Sequence, residues 1–305
     1  MPYTVIDLLI MRNRILIYLC VPFLIFSCST EKRQGIDFDK WGGYWYNGEA
    51  EISAFDLKQY RYGESREGEA VLIFVTEDLS KKKQVKLDNP QDAGRDAVKV
   101  LKLNMTKSFT TGIYPYNMML SVFSPVYLES SALKLTASSQ EWCGQSFTQL
   151  NLSGSTYKGK LYSYFEEESD ATFSVNALAE DHLWNLIRLG PEQLPLGEHD
   201  LVPGLLEQRF SHTQPAAQRA LLRINRLDNR HDELEVDYIS YNRTLKIHYE
   251  REFPYQIIAF EEIRVLENGT EEVSRGERKS VRQIDYWNKN KSEDIRLRRE
   301  LQLNP

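Results

Sequence analysis

The chain has 305 residues, with 38 lysines and arginines against 44 aspartates and glutamates, and a formal net charge of −6. This balance argues against nucleic acid as a partner, because there is no basic stripe to neutralise phosphates. The length is sufficient for a large hydrophobic core, and its 3 cysteines do not predict a disulfide framework.

The first thirty residues have the pattern of a bacterial lipoprotein signal peptide. Two arginines precede an apolar run at residues 15–26, and a cysteine, Cys28, follows this run closely. The run is too short to span a bilayer stably. We therefore expect residues 1–27 to be removed, with Met11 as the true start of the signal, and Cys28 to receive lipid.

Lipidation at Cys28 predicts where the protein works. Acyl chains on this residue hold a protein at a membrane, and Ser29 favours the outer membrane of the cell envelope. Residues 28–40 are polar and charged, which predicts a tether between the lipid and the folded body. Residues 41–305 are predicted to form a single β-rich domain, in the periplasm or at the cell surface.

Most of this body has the two-residue periodicity of β-strands. Residues 49–54 alternate between polar and small apolar side chains, whereas residues 70–76 are apolar throughout, as in a central strand. Further strands are predicted at residues 85–87, 98–105, 114–123, 133–138, 146–152, 157–165, 235–241, 245–250, 255–266 and 281–287. Asn268 and Gly269 form a strong hairpin signal, which predicts that the last two of these strands pair antiparallel, with exposed charged residues between them.

Helical periodicity is confined to two segments. Residues 174–189 place apolar side chains on one side, with Ser174 as the expected N-cap and Gly190 as the stop. A weaker helix is predicted from Ser292 onward, and the proline-containing residues 191–230 are predicted to be a loop-rich seam. About eleven strands and one packed helix predict an α+β fold, predominantly antiparallel β, whose sheet curls into a half-barrel or barrel or folds over as a sandwich.

Cys143 is the candidate nucleophile, because it becomes the only free thiol once Cys28 carries lipid. A thiol-dependent enzyme or hydrolase needs a base, which His182 or His231 would have to supply. No second cysteine completes a redox motif, and nothing near Cys143 in the sequence lowers the pKa of a thiol. We therefore expect Cys143 to be a buried structural residue, away from any histidine. The histidine spacing predicts no metal site, and no motif predicts a cofactor.

The aromatic residues provide the best candidate binding site. The chain has 17 tyrosines, more than a compact core requires. The surplus is expected to line a concave apolar groove that suits an acyl chain or a peptide. This groove, which would also be the alternative active site, is predicted to contain Trp142, Cys143, Gln145, Tyr62 and Tyr114.

Several short motifs carry a resemblance to a known family. They include Trp45-Tyr46-Asn47-Gly48, Thr111-Gly112-Ile113-Tyr114, Glu141-Trp142-Cys143-Gly144 and Trp184-Asn185-Leu186-Ile187. With them the chain resembles an uncharacterised lipoprotein family of Bacteroidetes, often labelled "septum formation inhibitor Maf". True Maf enzymes are cytoplasmic nucleotide pyrophosphatases with an N-terminal Ser-x-Arg-Arg motif and an α/β fold. Because this chain lacks that motif and reads as an exported antiparallel β protein, we interpret the label as a misnomer that implies no pyrophosphatase activity. At the level of architecture alone, the chain is also similar to periplasmic half-barrel lipoprotein carriers.

Together these observations predict a lipid-anchored envelope protein that binds an apolar ligand or an envelope partner without catalysis. Its expected contact with the membrane is through the lipid on Cys28. Two alternatives stay open at this point. One is a thiol-dependent enzyme or hydrolase centred on Cys143, and the other is a purely structural envelope component.

Overall fold

A computed structural model describes residues 33–303 of the chain. The predicted signal peptide, Cys28 and the first residues of the predicted tether lie outside this range. The strands of the described residues are β1 (Ala50–Arg61), β2 (Glu64–Ser80), β3 (Ala97–Thr111), β4 (Tyr114–Pro125), β5 (Lys134–Glu141), β6 (Gly144–Ser153), β7 (Thr156–Ser163), β8 (Ala171–Val175), β9 (Leu178–Ala179), β10 (Gly197–Val202), β11 (Gln218–Arg226), β12 (His231–Tyr238), β13 (Arg243–Glu250), β14 (Ile257–Val265) and β15 (Glu271–Ile284). The α-helices are α1 (Phe38–Trp45), α2 (His182–Leu189), α3 (Leu205–Ser211) and α4 (Arg296–Glu300), and 3₁₀ turns occur at Pro90–Asp96, Pro191–Gln193, Tyr286–Asn288 and Ser292–Ile295.

All the described strands belong to one 15-stranded sheet with the order β8-β7-β6-β5-β4-β3-β2-β1-β15-β14-β13-β12-β11-β10-β9. From β1 to β8 and from β10 to β15, strands that follow one another in sequence pair antiparallel, and β1 joins the two halves by pairing with β15. Only β9 and β10 pair in parallel among the described strands. A twisted sheet of this many strands has to curl, and it stays open because its edges, β8 and β9, do not pair with each other.

Helix α2 lies inside the curl and connects the two halves of the sheet. All of its residues are buried. The Asn185 side-chain amide donates to the carbonyl oxygens of Leu101 and Val122, at 2.9 and 3.3 Å, which attaches the helix to β3 and β4. On the other side the ring of Trp184 packs against Phe260 of β14, with a centroid distance of 5.5 Å. The interior is therefore a filled core rather than an open trough.

The predicted fold class is confirmed, since the molecule is mostly antiparallel β with a curled sheet and an internal helix. The predicted helix at residues 174–189 is only half right, however. Ser174 is not an N-cap, because it pairs with Lys158 as part of β8, and the helix begins at His182. Its end at Leu189 before Gly190 is as predicted.

Three other expectations about elements are corrected. Residues 191–230 are not a loop-rich seam, because they contain β10, α3 and β11. Residues 85–87 contribute only an isolated bridge between Lys86 and Leu79. The hairpin at Asn268 exists, but β15 begins at Glu271 and pairs with β14 there, while residues 281–284 pair with β1. The charged residues between the two predicted strands were expected to be exposed: Glu267, Glu271, Arg275 and Glu277 are, whereas Glu272, Arg278 and Lys279 are half-buried.

The chain joins the body earlier than the predicted tether at residues 28–40 implies. Arg33 is only 5% exposed, and its guanidinium donates to the carbonyl oxygens of Leu128 and Pro125, at 3.1 and 3.3 Å. Helix α1 follows, and it buries Trp41 and Trp45. In the described part of the chain, the helices are all too short or too polar to traverse a bilayer.

Candidate functional site

Apolar side chains are concentrated at one rim of the curled sheet. In an antiparallel sheet alternate turns lie at the same end, so the turns β1–β2, β3–β4, β5–β6 and β7–β8 share a rim. They expose Tyr62 (59%), Ile113 (81%), Trp142 (69%) and Tyr164 (67%) to solvent. We call these four residues the aromatic rim. Exposed apolar groups grouped in this way are typical of interaction sites.

The β1–β2 turn of the aromatic rim is tight because a glycine permits it. Tyr62 and Gly63 both have positive φ, 57° and 76°, as required in the two-residue hairpin turns that match the twist of a sheet. A turn this short leaves the Tyr62 side chain at the tip of the hairpin. Gly144 allows the ring of Tyr164 to lie against it, since a Cβ there would be 2.6 Å from Tyr164 Cγ.

Ring contacts make the inner side of this rim continuous. The hydroxyl groups of Tyr62 and Tyr116 are 2.8 Å apart, and the ring of Tyr116 stacks on Phe109 with a centroid distance of 5.0 Å. Tyr114 lies between Tyr116 and Trp142, at centroid distances of 5.9 and 6.3 Å. The structure thus brings together three of the five predicted groove residues, Tyr62, Tyr114 and Trp142.

A cavity of about 280 Å³ opens beside Tyr62. Its walls come from both halves of the sheet and from α3, and they combine apolar with charged side chains. The residues that line it include Gln59, Arg61, Tyr62, Phe210, Leu266, Arg264, Glu207, Arg243, Glu262 and Glu272. A concave space with a few charged groups and aromatic walls is typical of a small-molecule site.

Arg61 connects the cavity to the aromatic residues. Its guanidinium lies over the rings of Tyr62 and Phe210, at 4.5 and 5.1 Å from the centroids. It also donates a hydrogen bond of 2.8 Å to the Phe210 carbonyl oxygen. Stacking on ring faces suits a guanidinium, so Arg61 keeps its charge at the edge of an apolar surface.

Buried ion pairs form the floor of the cavity. Arg243 forms a bidentate pair with Glu180, at 2.5 and 2.9 Å, and Lys107 pairs with Glu262 at 2.7 Å. Asp181 is next to Glu180 and accepts a hydrogen bond from the backbone of Leu205 at 3.0 Å. Burial and the Glu180 carboxylate raise the pKa of Asp181 to about 7. This carboxyl group therefore titrates near neutral pH.

The prediction of a buried Cys143 is wrong. Cys143 is exposed, because it occupies the tip of the β5–β6 turn, where side chains extend into solvent. The Glu141 side chain accepts a hydrogen bond from the backbone N–H of Cys143 at 2.6 Å. Hydrogen bonding and charge from Glu141 raise the pKa of the Cys143 thiol, which lowers the fraction of reactive thiolate.

Neither candidate base is bonded to this thiol. His182 is buried in α2, and its Nδ1 is 2.8 Å from Ser124 Oγ. Burial, with the nearby Arg33 charge, lowers the pKa of His182 to about 3. His231 bonds instead to Asp228, at 2.8 Å, in the β11–β12 turn of the opposite rim. A thiol–histidine pair is therefore not formed.

Gln145 does not line the cavity beside Tyr62. It borders a separate surface depression together with Phe147, Tyr162 and Tyr164, the last of which belongs to the aromatic rim. Within the described residues no cluster of three or more potential metal ligands is found.

Sequence reasoning missed Arg61, Phe210 and Arg264 as site residues. Arg61-Tyr62-Gly63 is a cation and an aromatic residue in a glycine turn, which is a usable signal. Phe210 and Arg264 reach the site only through the pairing of distant strands and the position of α3, for which the local sequence contains no signal.

Comparisons with known proteins do not assign the chain. No protein-family model matches it, and no curated protein matches it. Among solved structures, it is similar to a β-barrel-like protein of a domain of unknown function, DUF1849, from Brucella abortus, at 8% sequence identity and a TM-score of 0.46. The match covers 77% of this chain and 97% of that chain. A likeness of this degree says nothing about the site.

Proposed function

We propose that this protein is a lipid-anchored component of the cell envelope that binds an apolar ligand at the aromatic rim, without catalysis. The observation that carries the proposal is the cavity of about 280 Å³ that opens next to Tyr62 and continues into the ring surface of Tyr116, Tyr114 and Trp142. The ligand's apolar body would lie over these rings, and its end would enter the cavity.

The position of the chain's entry into the body supports this arrangement. Arg33 contacts Leu128 in the β4–β5 connection, which belongs to the rim opposite Tyr62. A lipid on Cys28 would be only five residues from Arg33. An anchored molecule would then present its aromatic rim away from the membrane, where a ligand can reach it.

Quenching of tryptophan fluorescence by a brominated alcohol tests the proposal. The lipidated full chain in nanodiscs is titrated with 8-bromo-1-octanol, and empty nanodiscs provide the blank. We expect saturable quenching that is lost in Trp142→Phe and weakened in Tyr62→Ala. The matched control, Trp287→Phe, removes a half-exposed tryptophan at the opposite rim and should leave saturable quenching unchanged. Quenching that never saturates, or that depends on Trp287, would contradict rim binding.

An envelope partner is the second candidate, because Ile113 and Tyr164 are strongly exposed and do not line the cavity. A photoreactive amino acid at position 113 should give a discrete cross-linked product in cells. The same amino acid at Val85, an exposed residue in the β2–β3 connection of the opposite rim, should not. Equal products from both positions, or none from position 113, would argue against a partner at this rim.

A further inference from the structure

Among the charged groups that line the cavity, Arg61 and Glu272 form no ion pair within the described residues, whereas the others are matched. Arg243 pairs with Glu180, Lys107 with Glu262, and Arg264 with Glu207. Arg264 also feels the Glu272 charge. Across the described residues, no ion pair includes Arg61, whose guanidinium donates to the Phe210 carbonyl oxygen and also interacts with the hydroxyl groups of Tyr62 and Tyr116.

Unsatisfied polar atoms occur in the same wall. Four polar atoms of the cavity residues are buried without a hydrogen-bond partner in the described protein: the donors Arg61 Nε and Arg243 Nε, and the acceptors Gln59 Oε1 and Glu207 Oε1. All four residues line the cavity, and an anion can use only the two arginine donors. Buried polar atoms without partners are uncommon, and they require water or a ligand. The wall therefore has unused hydrogen-bonding capacity beside an unpaired cation.

From these observations we infer that the cavity binds the anionic head of a small amphiphile, a carboxylate or a phosphate monoester, at Arg61. The inference rests on the proposed function and specifies the ligand's class. The head accepts hydrogen bonds from the Arg61 guanidinium, and the apolar body lies against Tyr62, Phe210 and Leu266. A charge-assisted bond to arginine in a partly buried site is stronger than one between neutral groups.

The acidic residues in the cavity differ in how strongly they repel an anionic ligand. Glu207 and Glu262 are each held by a cation, so their charge is compensated. Glu272 is the remaining carboxylate of the wall; burial lowers the pKa of Arg264, and the Glu272 charge opposes this to a smaller extent. An anion is thus expected at the Arg61 side of the cavity rather than beside Glu272. The volume of about 280 Å³ limits the enclosed part of the ligand to a head and a short chain.

Calorimetric titration with four eight-carbon probes tests the inference. The lipidated full chain in nanodiscs is titrated with octanoate, octyl phosphate, 1-octanol and octylammonium, and empty nanodiscs provide the blank. We expect octanoate or octyl phosphate to bind at least about tenfold more tightly than octanol, and octylammonium to bind more weakly than octanol. The tighter of the two anions distinguishes a fatty-acid head from a phosphate head.

Variants at Arg61 show whether this residue recognises the negative charge of the ligand's head. Arg61→Gln should remove the preference for an anion over octanol, whereas Arg61→Lys should retain part of it. Arg275→Gln, at an exposed arginine paired with Glu261 and Glu277, is the matched control and should change nothing. Melting curves show whether each variant is folded. If Arg61→Gln does not fold, the partial loss of preference expected in Arg61→Lys still provides the test.

Two results overturn the inference in different ways. Equal affinity of the parent for octanoate, octyl phosphate and octanol, or an unchanged preference in folded Arg61→Gln, would remove the anionic head and leave the apolar rim in place. Failure of every probe, together with unsaturable quenching by the brominated alcohol, would remove the proposed function itself.

Discussion

Arg188 of α2 forms a bidentate ion pair with Glu51 of β1, and both side chains are 0% exposed. The guanidinium also lies over the rings of Trp45 and Phe74, at 4.9 and 4.7 Å. Burial raises the pKa of Glu51, but the Arg188 charge and hydrogen bonds outweigh this, and the net pKa is lowered. The pair fixes the internal helix against the strand where the two halves of the sheet meet.

We expect removal of one partner of this pair to be costly. Arg188→Met leaves the Glu51 carboxylate buried without its cation, which should lower the free energy of unfolding by about 3–5 kcal/mol. The double variant with Glu51→Leu should recover much of that loss, because no isolated charge remains. Urea denaturation measures both.

An exposed ion pair provides the control for this prediction. Arg219 and Glu198 have side chains that are 49% and 57% exposed, and Arg219→Met should cost less than about 1 kcal/mol. Strictly additive losses in the Arg188 and Glu51 variants would show that the buried pair is not coupled.

Asp181 is predicted to make stability depend on pH. Its pKa is raised to about 7 by burial and by Glu180, so the folded state holds this proton more tightly than the unfolded chain does. The associated stability is complete below the unfolded pKa, about 3.9, and is lost as the pH rises through about 7. Asp181→Asn keeps an acceptor for the Leu205 N–H but cannot ionise. Relative to the parent, this variant should gain up to about 4 kcal/mol between pH 4 and pH 8.

Urea denaturation at pH 4, 6 and 8 measures this difference. His182, whose pKa is lowered to about 3 by burial, acts in the opposite direction and costs stability as the pH falls below about 6.5. Because His182 is present in both proteins, its effect cancels in the comparison. A constant difference between parent and Asp181→Asn across the pH range would show that Asp181 does not titrate in this window.

Exposure of Cys143 predicts rapid alkylation of the native protein. The thiol is at a hairpin tip, but Glu141 raises its pKa, so the labelling rate should increase steeply with pH as thiolate forms. Glu141→Gln should accelerate labelling at neutral pH, and a melting curve checks that the variant is folded, because the Glu141 side chain also pairs with the buried Arg209 at 3.5 Å. Peptide mapping after a timed pulse of iodoacetamide identifies the modified residue. If labelling of Cys143 required urea, the thiol would be buried in the native protein, which would contradict the structure.

Lipid attachment is tested at Cys28. The signal pattern predicts that Cys28→Ala is released from the membrane or retains its first 27 residues, because no thiol remains to accept lipid. Fractionation and intact mass measure these outcomes. Unchanged membrane attachment together with an unchanged mature mass would contradict the lipoprotein prediction.

The strand pattern was readable from sequence because alternation persists wherever one face of a strand is buried. The prediction of strands is wrong where the pairing with a neighbouring strand, rather than the periodicity of the sequence, decides the structure. Ser174 and Val175 have neighbours typical of a helix, yet they complete the edge strand beside Tyr157 and Lys158. Residues 64–69 of β2 carry no large apolar side chain and none of them is buried, so the apolar pattern predicts a strand only from Ala70 onward.

The site was partly readable for a similar reason. Tyr62, Tyr114 and Trp142 are predicted as aromatic residues of a groove, and they meet because the turns that carry them lie on one rim of the antiparallel sheet. The position of Cys143 was misjudged because a two-residue turn places its side chains in solvent whatever their polarity. Arg61 could not be predicted as a site residue from the local sequence, because its hydrogen-bond partner Phe210 is 149 positions away in the chain.

Photo-cross-linking tests the central claim, an apolar ligand at the aromatic rim, most directly. A diazirine-bearing octanoate is bound to the full chain in nanodiscs and irradiated, and the modified residues are located by peptide mass spectrometry. Binding at the aromatic rim predicts adducts at Tyr62, Phe210 and Leu266, and their suppression by excess octanoate. Adducts confined to the opposite rim, at Tyr127 or Trp287, or adducts that excess octanoate does not suppress, would contradict it.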